Sequence, residues 1–93
     1  MTDQINASHL LVKTEAEALE CLNLINKGNS FESIARLKSI CPSKSDGGSL
    51  GWFSRGQMVK EFEDATFSGK LGEIVGPVKT EFGFHLIKIK KIQ

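Results

Sequence analysis

The chain has 93 residues, a formal net charge of +1, 40% apolar and 25% charged side chains, and two cysteines. That near-neutral balance excludes the basic field of a protein that binds nucleic acid wholesale. Cys21 and Cys41 are too few for a disulfide framework or a zinc spacing. These totals predict a single domain over residues 1–93, large enough for one hydrophobic core without disulfides or metal.

In chain order, Ile5 to Lys13 reads as a strand with Ile5, Ala7, His9 and Leu11 on one face and Ser8, Leu10 and Val12 on the other. Thr14 then caps a helix, with Glu17 completing a capping box and Ala18, Cys21, Leu22 and Ile25 forming the buried stripe. Lys27 and Gly28 close it. Ser30 opens a second helix to about Ser39, burying Phe31, Ile34 and Ala35. A glycine-rich loop runs from Cys41 to Gly48, and a short strand follows at Leu50 to Phe53, with Trp52 and Phe53 expected in the core. A third helix is predicted at Val59 to Phe67. Val75 to Thr80 and Phe84 to Ile92 read as strands joined by a tight turn at Glu81-Phe82-Gly83. The order βααβαββ predicts an α+β domain with a mostly antiparallel sheet.

Two stretches are more specific than the rest. One runs from Cys41-Pro42-Ser43 through Gly47-Gly48-Ser49-Leu50-Gly51-Trp52-Phe53 to Gly56-Gln57-Met58 and Phe62, and the other is Phe82-Gly83-Phe84-His85. With His9 they supply a thiol, two imidazoles, a thioether and phenylalanines, the makings of a small apolar pocket with a polar floor. From His9 to about Lys90 the chain resembles the parvulin family of peptidyl-prolyl cis/trans isomerases.

The resemblance implies a four-stranded sheet with helices around it, and rotation about Xaa-Pro imide bonds without metal, cofactor or covalent step. It implies that Met58, Phe62 and Phe82 grip the prolyl ring, with Leu50 at the rim. It implies neighbouring strands for His9 and His85, whose imidazoles hydrogen-bond beneath the peptide and set its surroundings. Cys41 would stand near the substrate carbonyl, and Thr80 would support the network through its hydroxyl. The glycines of 47–51 fix a turn and lack the Lys-Ser/Thr of a phosphate-binding loop.

The connection Lys13-Thr14-Glu15-Ala16-Glu17 carries two acids and one lysine, unlike the basic cluster of phosphate-directed parvulins. A general Xaa-Pro preference follows, tilted towards apolar or uncharged residues before proline. The expected partners are therefore proline-containing peptides and partly folded proteins, not nucleic acid. Lys88 and Lys90 could touch an anionic surface, or form a solvated row that protects the edge. Two rival readings stay open: a chaperone-like module that grips proline segments with little catalysis, and a Cys/His hydrolase. The start of the chain lacks a basic, apolar leader and no stretch reaches the ~20 apolar residues of a bilayer span. A cytoplasmic monomer is the expectation, in keeping with unpaired cysteines.

Overall fold

The structure, a computed structural model, describes residues 4–93. The elements are β1 (Gln4–Val12), α1 (Glu15–Asn26), α2 (Phe31–Lys38), a 3-10 turn (Pro42–Asp46), β2 (Ser49–Ser54), α3 (Lys60–Ser68), β3 (Ile74–Thr80) and β4 (Gly83–Ile92). The four strands form one sheet in the order β2-β1-β4-β3, every pairing antiparallel. This is the expected α+β arrangement, and it places β1, the first strand, against β4, the last.

Both faces of β1 are covered, as a central strand requires. Leu10, Val12 and Leu86 pack under α1 and α2 with Ala18, Cys21, Phe31, Ile34 and Ala35. Ile5, Ala7, Ile87 and Ile89 point the other way and pack with Phe53 and with Phe62 of α3. Burying each large side chain in these cores contributes about 1.5–3 kcal/mol relative to exposure.

Thr14 caps α1 by accepting the Glu17 N–H at 3.2 Å. The capping box differs from expectation in its second half: the Glu17 carboxylate accepts the Thr14 hydroxyl at 3.0 Å. Ser30 caps α2 through the Ser33 N–H at 3.1 Å. The segment after Cys41 is not the plain loop expected, because Pro42 initiates a 3-10 turn that Gly47 ends at φ 69°. Ser-Lys-Ser-Asp has no apolar periodicity to announce such a turn. Gly48 is required by contact: at φ +85°, a Cβ there would lie 2.1 Å from the His9 carbonyl oxygen. Its own carbonyl accepts the His9 N–H at 2.9 Å.

Phe53 lies in the core, but Trp52 is 44% exposed, correcting the expectation for that residue. Alternation explains the difference, since Ile5↔Phe53 faces α3 and Asn6↔Trp52 faces the opposite side of an edge strand. On β4, Lys88 lies 3.6 Å from the Glu32 carboxylate and Lys90 donates to the Ser49 hydroxyl at 3.3 Å.

Candidate active site

The β1–β4 pairing decides the site. Leu11 stands opposite His85, and His9 opposite Ile87, so the histidines are diagonal neighbours on the α3 face. Diagonal positions about 7–8 Å apart are within reach of ring side chains. The rings lie 20° from parallel with their Nδ1 atoms 3.1 Å apart, and each is only 5% exposed. Phe62 meets both edge-on, at centroid distances of 5.5 and 5.2 Å.

The pair sits within a longer hydrogen-bonded run. The Phe82 N–H donates to Thr80 Oγ1 at 3.2 Å, and Thr80 Oγ1 lies 2.8 Å from His85 Nε2. At the other end, His9 Nε2 lies 3.2 Å from Ser43 Oγ, whose hydroxyl donates to Cys41 Sγ at 3.4 Å. One assignment satisfies every group: Thr80 O–H to His85 Nε2, His85 Nδ1–H to His9 Nδ1, and His9 Nε2–H to Ser43. It leaves both imidazoles neutral. Burial, and secondarily a charge on His85, pushes His9 down to about 4; burial also lowers His85.

Cys41 is placed by the exit of α2. The buried Ser39 hydroxyl accepts the N–H groups of Leu11 (3.1 Å) and Cys41 (3.2 Å), while the Ile40 N–H donates to the Leu11 carbonyl at 2.8 Å. This seam ties the segment to β1 beside His9.

A cavity of about 590 Å³ opens over His9, Cys41 and His85. Phe62, Met58, Val59 and Leu50, which share one apolar cluster, line it together with Gln57, Leu11, Ile40, Pro42 and Phe82. Of the residues singled out in the sequence, His9, Cys41, His85, Leu50, Met58, Phe62 and Phe82 thus meet in one cavity. Phe62 is wall and core at once, being 3% exposed, whereas Phe82 is 60% exposed and forms a lip more than a deep wall. Thr80 stands outside the lining and touches the site through His85. Ser39 and Ser43 were not foreseen. A serine in a polar loop carries no periodic signal, and its partners come from β1. Leu11 was foreseen on the His9 face of its strand, without a place in the cavity.

Among the described residues, no lysine or arginine lines the cavity, and no three His, Cys, Asp or Glu side chains gather as a metal site. No described helix is long and apolar enough to cross a membrane.

An antiparallel sheet in the order β2-β1-β4-β3, with a neutral histidine pair beneath an apolar cup, defines a parvulin-type rotamase domain. The family model of the PPIC-type PPIase (rotamase) domain matches residues 6–91, and the chain belongs to that family. Foldase protein PrsA of Geobacillus kaustophilus is 49% identical over 87 residues, covering 92% of this chain and 31% of that protein. The solution structure of NmPin, the parvuline of Nitrosopumilus maritimus, superposes with a TM-score of 0.89 at 40% identity, covering 98% of this chain and 99% of that one. The crystal structure of PrsA from Bacillus subtilis gives 0.92 at 43% identity, over 96% of this chain and 35% of that one. The chain spans about a third of the length of the PrsA relatives it matches.

Proposed function

We propose that this domain catalyses rotation about Xaa-Pro bonds by holding the prolyl ring in the apolar cup while the imide twists above the histidine pair. The observation that carries the reading is the convergence of Met58, Phe62 and Leu50 on one cavity with His9, His85 and Cys41. The unaided barrier is about 18–20 kcal/mol, and each ~1.4 kcal/mol removed is tenfold in rate. Twisting breaks the amide resonance and reduces charge separation. An apolar wall over two neutral imidazoles therefore favours the twisted form over the planar one. Cys41 stands near the substrate carbonyl, and Thr80 and Ser43 hold the imidazoles in one tautomeric arrangement.

The substrates are proline-containing segments of partly folded proteins, in keeping with the name foldase carried by the PrsA relatives. Leu11, Ile40 and Phe82 offer an apolar shelf, which favours apolar or uncharged residues before proline. A cytoplasmic location, in keeping with two unpaired cysteines, and a monomeric state belong to the same proposal. Contact of Lys88 and Lys90 with an anionic surface is a lesser part of it. That contact would compete with Glu32 and Ser49.

A protease-coupled assay with Leu, Glu or phosphoserine before proline tests the reading. Turnover should fall in that order. No acceleration of any peptide would refute the isomerase, and fastest turnover of the phosphorylated one would refute the preference.

A further inference from the structure

The imidazoles of the cavity floor spend their polar groups on the floor itself. His9 uses both ring nitrogens on His85 and Ser43, and His85 uses both on His9 and Thr80. Cys41 Sγ accepts from Ser43, which leaves the floor only the weak S–H donor of that thiol. A bound Xaa-Pro segment nevertheless brings two carbonyl oxygens to a mostly apolar surface, and burying one without a donor costs about 1–3 kcal/mol.

Gln57 stands at the exposed rim of the same lining, next to Met58. Its Oε1 accepts the Ser54 N–H at 2.7 Å. Only the oxygen of a carboxamide accepts such a bond, so this contact fixes which way the group faces and leaves the NH2 directed away from Ser54. Nε2 has no hydrogen-bond partner among the described residues, and no other side-chain nitrogen of the cavity lining is uncommitted. The turn that carries it is pinned to α3: the Gly56 N–H and the Arg55 guanidinium both donate to the Glu63 carboxylate. A donor held this way loses little freedom when a ligand arrives.

We propose that Gln57 is a substrate-binding residue whose Nε2 donates to the carbonyl oxygen of the prolyl residue itself. This assignment rests on the isomerase reading and adds an anchor to it. With the ring in the cup and its carbonyl held at Gln57, the proline end is fixed. The preceding residue is then the part that swings.

Two variants and two ligands test the assignment. Gln57→Glu keeps an oxygen for the Ser54 amide and exchanges the donor for a negative charge; Gln57→Met removes both oxygen and donor and adds no charge. An acetyl-Leu-Pro methylamide carries the prolyl carbonyl, and an acetyl-Leu pyrrolidide keeps ring and imide bond but lacks it. Affinities come from NMR titration, with thermal unfolding followed in parallel. The wild type should prefer the methylamide by about tenfold, equivalent to ~1.4 kcal/mol. Both variants should bind the two ligands alike, with pyrrolidide affinity and the unfolding temperature of Gln57→Glu unchanged. On a Leu-Pro peptide, KM should rise while kcat holds. Preserved discrimination in Gln57→Glu, or none in the wild type, overturns the Gln57 assignment alone. A pyrrolidide that fails to bind the wild-type cavity sinks the cup reading and this assignment with it.

Discussion

Phe62 shows how one side chain serves stability and chemistry together. It fills the core beside Phe53 and Ile87 and stands edge-on to both imidazoles. Phe62→Ala should therefore cost about 3–5 kcal/mol, a large share of a small domain's stability, as well as activity. Its loss of turnover cannot be read without a melting curve. Met58 is half-buried at the edge of the same cluster, so truncating it should cost about 2 kcal/mol and leave the fold intact. The histidines make a second prediction. His9 titrates at about 4 in the folded state against 6.5 for a free imidazole, and His85 is also lowered. The unfolded chain therefore binds more protons below pH 6.5, and stability present above that pH is lost as pH falls towards 4. For His9 alone the displacement corresponds to roughly 3 kcal/mol. Thermal unfolding should drop clearly between pH 6.5 and 5, before most carboxylates titrate, while turnover stays level from pH 6 to 8. A flat melting temperature over the lower interval would contradict the neutral, buried pair.

At the scale of elements, the site is a product of three junctions: β1 against β4, the Ser39 seam after α2, and the Gly48 approach to His9. The Gly48→Ala substitution tests the last. The added methyl meets the His9 carbonyl and the backbone is held at positive φ, so strain alone costs about 1–3 kcal/mol, and the strand must also shift. Urea unfolding should show the loss, and the His9 ring signals should move in the NMR spectrum. Unchanged ring signals would contradict the role given to that contact. The same junctions mark where sequence reasoning runs out. Periodicity located all three helices and four strands to within a residue or two, because Phe31, Ile34 and Ala35, or Ile87 and Ile89, announce their buried faces. The 3-10 turn at Pro42–Asp46 and the roles of Ser39 and Ser43 left no such mark, since their partners lie on β1, some 30 residues earlier. Trp52 is exposed rather than in the core, which periodicity does not show, because an aromatic residue on an edge strand looks the same in sequence whichever face it takes.

For the whole molecule, the arrangement separates support from work. The α1–α2 face holds one apolar cluster with no part in the cavity floor. The α3 face carries the other cluster, the histidine pair and the cup. The pair sits on the two central strands, each hydrogen-bonded to a neighbour on both sides. The walls, by contrast, come from the start of β2, the turn before α3 and the β3–β4 turn, which place Leu50, Met58 and Phe82 at the half-buried or exposed edge of the core. Such a domain needs no charge transfer and no bound group to lower a rotational barrier, only a surface that fits the twisted imide better than the planar one.

The most direct test is two-dimensional NMR exchange on a Leu-Pro peptide with substoichiometric protein, wild type beside Met58→Ala. Cis–trans exchange should quicken from its unaided tens to hundreds of seconds to well below a second with the wild type. It should return most of the way with the folded variant. Peptide shifts that show binding to the wild type without any quickening of exchange would contradict the account.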